Sequence, residues 1–201
     1  AVGNATLDAN TTADNNTAIG NQALSANTTG SLNVGVGTLA LTANTTGVQN
    51  VAVGVEALDT NSTGGSNTAI GYASLYANTT ASNNTAVGHN SLKANTTGTR
   101  NTAVGAATLD ALTTENDNTA IGYAALSSEV SGFRNTAVGS GSGANQNGGT
   151  NNTLLGYNAG SDISTGDANT FIGSDCGDAN TTAGNNTGVG QAALGANTTG
   201  T

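Results

Sequence analysis

Residues 67–83 read NTAIGYASLYANTTASN, and residues 84–100 read NTAVGHNSLKANTTGTR. Asn, Gly, Leu and the Asn-Thr-Thr corner recur at the same offsets in both, so the unit is seventeen residues long. The spacing holds along the whole chain: Asn opens the unit at Asn16, Asn33, Asn50, Asn67, Asn84, Asn101, Asn118, Asn135, Asn152, Asn169 and Asn186, each 17 residues after the last. Gly follows four residues later every time, from Gly20 to Gly190, with Gly3 one period earlier. Internal periodicity of this length is the signature of a repeat architecture. The 201 residues therefore read as one array of about twelve coils, the first and last incomplete, with an irregular stretch over residues 135–179.

Composition excludes a wide conventional core. Aromatic residues make up 3% of the chain, and Trp, Met and Pro are absent. Charged residues are only 7% against 35% apolar ones, so the high charge typical of disordered chains is missing. Twelve acidic and three basic residues give a formal charge of −9, and Lys93, Arg100 and Arg134 form no basic run. Nucleic acid is thereby disfavoured as a partner. No stretch approaches the roughly 18 apolar residues of a membrane span. The chain opens on AVG and closes on NTTGT, both mid-motif, which suggests a segment of a longer array with any signal or anchor outside it.

Numbered from its Asn, a typical unit is N T A V G x x A L x A N T T G x x. Position 4 carries Ile19, Val36, Val53, Ile70, Val87, Val104, Ile121 and Val138, and position 9 carries Leu24, Leu41, Leu58, Leu75, Leu92, Leu109 and Leu126. Both columns are expected in the core. Val34 and Val51 replace Thr at position 2, which places position 2 beside position 4 on the inward face by period-2 alternation. Units rich in Asn, Thr and Gly offer no uninterrupted helical face. The expected fold is all-β: a parallel β-solenoid in which a short strand, a turn, a second short segment and another turn make one lap. Laps then hydrogen-bond about 4.8 Å apart. Burying one Val and one Leu gives about 3–6 kcal/mol, less than the entropy lost in ordering seventeen residues, so stability must arise between laps.

The position-1 asparagines are expected to form a structural ladder, since in-register stacking brings their amides into one column. Gly at position 5 is expected to end the strand at a tight turn. Position 12 carries Asn10, Asn27, Asn44, Asn78, Asn95, Asn180 and Asn197, each opening an NTT triplet. The triplet is also an N-glycosylation acceptor pattern, so this column is a candidate glycosylation or surface-binding row. The Thr pairs that follow suggest an alternative, an ice-binding face, provided both hydroxyl columns lie on one side.

Units such as NVAVG at residues 50–54 and NTAIG at residues 118–122 resemble the SVAIG-type strand motifs of trimeric autotransporter adhesin heads and the NTAVG and NTTG repeats of phage tail-fibre proteins. The resemblance runs through all coils. It implies a left-handed β-roll, three chains side by side, an extracellular or virion or cell-surface location, and a role in reach or adhesion. It also implies a cell-surface glycan or protein receptor. The 17-residue coil departs from the shorter coils usual in adhesin heads, and no coiled-coil stalk or chaperone domain occurs within these residues.

No enzyme is expected. Asp8, Asp14, Glu56, Asp59, Asp110, Glu115, Asp117 and Glu129 are dispersed and read as a solvated face. Asp162, Asp167, Asp175 and Asp178 are the one cluster suited to a cation, without the Ca²⁺-binding repeat of other solenoids, so neither a metal nor a cofactor is assigned. His89 has no partner for base catalysis, and Cys176 reads as a small filler. Over residues 135–179, Gly143, Gly160 and Gly177 replace Leu at position 9 while Leu154 and Phe171 replace Ala at position 3, so volume lost on one wall returns on another. The functions left are a structural fibre segment, an ice-binding solenoid, or a filament built by end-to-end stacking. The expected partner is the chain itself, as a homotrimer or a polymer.

Overall fold

A computed structural model describes residues 1–200. It contains eleven three-residue strands and no helix: β1 (Thr17–Ile19), β2 (Val34–Val36), β3 (Val51–Val53), β4 (Thr68–Ile70), β5 (Thr85–Val87), β6 (Thr102–Val104), β7 (Thr119–Ile121), β8 (Thr136–Val138), β9 (Thr153–Leu155), β10 (Thr170–Ile172) and β11 (Thr187–Val189). All lie in one parallel sheet in the order β1 to β11, so each lap rests on its predecessor. The register advances by one unit per lap: Val53 pairs with Ile70, and Ile70 with Val87. Val2 extends the stack below β1 through an isolated bridge to Ile19. The chain is a β-solenoid.

Each strand is short because Gly at position 5 turns the chain out of the sheet. Gly20 has φ +132°, and a Cβ there would lie 2.5 Å from the carbonyl oxygen of Gly37 in the next lap. No other residue fits both the angle and the approach.

The second wall is not a strand. Positions 7 and 9 adopt left-handed backbone angles even where they are not glycine, as at Ala73 (φ 49°) and Leu75 (φ 50°). Such angles cost about 1–2 kcal/mol each for an L-residue. They send successive N–H groups in opposite directions along the axis: Ala73 donates to Val55 O in the lap before at 3.0 Å, and Leu75 donates to Ser91 O in the lap after at 3.0 Å. The wall thus stays hydrogen-bonded between laps without β geometry.

The interior is thin. Leu24, Leu41, Leu58, Leu75, Leu92, Leu109 and Leu126 are fully buried, facing Ala at position 3 and small residues at position 8. The expectation for position 4 is reversed. Ile19, Val53, Ile70 and Ile121 are exposed, and Val36, Val87, Val104 and Val138 are only half-buried, whereas Ala18, Ala52, Ala69, Ala86, Ala103, Ala120 and Ala137 lie inside. The alternation in T-A-V is real but its phase is opposite, and a one-residue change of phase moves every side chain to the other face. The physical reason is space. Leucine crosses from the opposite wall and leaves room only for a methyl group, and a Cβ on Gly35 at position 3 would already sit 3.3 Å from Leu24 Cγ.

Where leucine is absent, the exchange of volume becomes visible. A Cβ on Gly143 would lie 2.8 Å from Leu154 Cδ1, and one on Gly160 would lie 2.8 Å from Leu154 Cδ2. Leu154, Ile163 and Phe171 are fully buried and fill the space that position-9 leucines occupy elsewhere.

Candidate interaction surface

The outer face of the sheet is built from positions 2 and 4 of every lap. Thr or Val at position 2 and a branched aliphatic at position 4 are favoured on a pleated surface, and their outward direction follows once Ala takes the inside. Position 4 consequently forms a continuous aliphatic ridge, stacked lap on lap from Val2 to Val189, with exposure of 45% at Ile19, 40% at Ile70 and 45% at Leu155. A row of this length is unlike the scattered apolar residues of an ordinary protein surface. Charged residues are absent from both columns along the entire sheet.

The two asparagine columns lie elsewhere. Asn33, Asn50, Asn67, Asn84, Asn101, Asn118, Asn135, Asn152 and Asn169 are buried, with Asn16 and Asn186 half-buried at the ends. Each buried side chain of the column makes two bonds of different kinds. Asn84 Oδ1 accepts from the backbone N–H of Asn101 at 2.9 Å, linking laps, and Asn84 Nδ2 donates to Gly98 O at 2.8 Å, closing its own lap. The ladder therefore runs alternately through side chain and backbone.

Position 12 is also interior, contrary to its reading as a surface row. Asn27, Asn44, Asn78, Asn95 and Asn180 are fully buried, and only Asn10 and Asn197 near the ends are partly open. From Asn10 to Asn95 their amides bond directly to one another, as Asn44 Nδ2 does to Asn27 Oδ1 at 2.8 Å and Asn78 Nδ2 to Asn61 Oδ1 at 2.8 Å, whereas the buried amide of Asn180 has no partner. Asn61, which opens NST rather than NTT, belongs to the same column and was hidden by that one substitution. A glycan cannot attach to an amide enclosed in such a stack. The NTT triplet is turn and ladder chemistry here.

The threonine pairs split. Position-13 hydroxyls donate to the backbone of the next lap, as Thr28 Oγ1 does to Thr45 O at 3.0 Å and Thr79 Oγ1 to Thr96 O at 3.1 Å. Position 14 is the exposed column, at Thr29, Thr46, Thr63, Thr80 and Thr97. The two hydroxyl columns therefore differ, position 13 being bonded to the backbone and position 14 open to solvent.

The ionisable residues do not converge. Among the described residues no three His, Cys, Asp or Glu side chains come together as a metal site, and Asp162, Asp167 and Asp175 instead accept from Asn145, Thr150 and Ser174 respectively. Glu129 departs from the solvated reading. It replaces Asn at position 12, is fully buried, and accepts from Gly132 N, Gly148 N and Gln146 Nε2 at 2.5, 2.9 and 2.7 Å. Leu112 and Ile163 flank this pair in the same column, so the amide stack is interrupted, and Asn95 Oδ1 is left without a partner. Asp110 is half-buried, and that burial raises its carboxyl pKa, offset in part by its own backbone N–H and by Lys93. Arg100 grips Asp117 in the next lap with two bonds, at 2.6 and 3.0 Å, and so holds that carboxyl below its usual range. The pair is exposed and adds little stability. Cys176 is buried, which raises its thiol pKa and suits a filler rather than a nucleophile.

Comparison with family models, with curated proteins and with solved structures yields no match to this chain. No helix among the described residues is long and apolar enough to cross a membrane.

Proposed function

We propose that the chain is a non-enzymatic segment of a surface fibre, in which three copies pack side by side through the aliphatic ridge and present the remaining faces outward. The observation that carries this reading is the reversed phase of position 4, which puts a branched aliphatic residue outside in every lap. Partly covering one Val or Ile stabilises an assembly by about 1 kcal/mol. Association costs about 4–15 kcal/mol in lost translational and rotational freedom. A contact two laps long therefore fails, whereas one that runs the length of the rod reaches the required size. The uncharged strip also suits identical copies, because three like-charged surfaces would repel.

The rod supplies length at about 4.8 Å per lap, and identical laps give a stiff spacer rather than a cleft. Its location outside the cell or on a virion follows from that role. Sedimentation and native mass measurement of the intact chain test the reading: a trimer is expected at micromolar concentration and in high salt alike, since no charges are involved. Val87→Lys with Val104→Lys should give folded monomers with unchanged far-ultraviolet circular dichroism. A wild-type chain that stays monomeric at all concentrations would overturn the proposal.

A further inference from the structure

Position 6 lies just beyond the Gly corner from the ridge, and three of the chain's four tyrosines occupy it, as does the only histidine. None has a core role: Tyr72, Tyr123 and Tyr157 are 47%, 66% and 58% exposed. Tyr72 is already partnered, with the His89 ring of the next lap stacked on it at 5.3 Å between centroids and 18° between planes. Tyr123 and Tyr157 have no such partner among the described residues. They stand two laps apart, about 9.6 Å, on either side of Ser140.

We infer that Tyr123 and Tyr157 are the walls of a binding notch for one pyranose ring of a neutral polysaccharide, an assignment that rests on the fibre reading and names its receptor chemistry. A sugar ring presents apolar C–H faces above and below and hydroxyls around its rim. The notch offers the complementary pattern. Two exposed tyrosines occupy position 6 in the laps before and after Gly139, Ser140 and Gly141, residues with little or no side chain. Asn158 lays its amide across Gly141, where a Cβ would collide with its Oδ1, and so places a hydrogen-bonding group at the edge. Between positions 4 and 8 the three laps IGYAA (121–125), VGSGS (138–142) and LGYNA (155–159) carry no charge, and the chain as a whole is at −9. An acidic polysaccharide is therefore disfavoured by long-range repulsion, and a neutral one is admitted.

The test is affinity electrophoresis of the intact chain through gels containing hydroxyethyl cellulose, galactomannan or alginate, with sedimentation run on the same samples. Retardation is expected in at least one neutral gel and not in alginate. Tyr123→Ala and Tyr157→Ala should each weaken retention about tenfold, the loss expected from one aromatic contact, and Ser140→Trp should abolish it by filling the notch. Tyr72→Ala should leave retention unchanged. These positions are exposed or lie at the surface, and unchanged circular dichroism confirms that each variant is folded. Absence of retardation in both neutral gels, equal retardation in alginate, or retention indifferent to Tyr123 and Tyr157 overturns the inference. A trimer that fails to bind removes the notch alone, whereas a monomer removes the fibre reading itself.

Discussion

Asn84 shows how one side chain replaces a missing piece of secondary structure. Its oxygen takes the backbone N–H of Asn101, while its nitrogen reaches Gly98 O, which also accepts from Asn95 Nδ2. Asn84→Ala thus leaves one buried N–H orphaned but not the carbonyl. A loss of about 1–3 kcal/mol is expected from thermal or denaturant unfolding. Asp110 supplies a pH dependence of known sign. Its folded pKa lies above the ordinary value because of burial, so its contribution to stability is full below pH about 3.8 and is lost as pH rises through the folded pKa. Asp110→Asn should therefore raise the unfolding midpoint at pH 7, and the advantage over the parent should vanish in scans below pH 4.

At the level of the lap, the division between what could be read and what could not is physical. The 17-residue period, the parallel stack and the leucine column were legible because each is a repeated, unambiguous feature. The phase of T-A-V was not, since alternation gives two faces without saying which is inside, and Val is the more apolar choice. The deciding signal was nevertheless present: Leu154 and Phe171 enlarge position 3 where Gly143, Gly160 and Gly177 shrink position 9, and only residues facing one interior exchange volume in that way. The left-handed angles at Leu75 and its equivalents were marked only by Gly143, Gly160 and Gly177 at the same position, because leucine does not signal them. The burial of position 12 was masked by a triplet that carries a second meaning. Lap identity leads to a further prediction. Deleting residues 84–100 should leave a folded rod one lap shorter, because residue 101 then continues from residue 83 in register. Deleting residues 84–99 shifts every later side chain by one place, exchanging core and surface, and should yield a chain that unfolds or aggregates. Circular dichroism with size-exclusion chromatography distinguishes the two.

On the scale of the molecule, the strands stack in strict sequence order and every contact between strands is with the next or the previous lap. Stability in such an array accumulates lap by lap, and the outer ridge gains its meaning only through length. The stacked rod requires one lap to be added per step along the axis. Distances between paired spin labels measure that directly, in a Cys176→Ser background diluted with unlabelled chain. Labels at position 6 in His89→Cys/Tyr157→Cys, four laps apart, should lie about 19 Å apart along the axis, and those in Asn21→Cys/Ser174→Cys, nine laps apart, about 43 Å. A distance that fails to grow in proportion to the number of laps, or a broad distribution at both separations, would contradict the stacked rod.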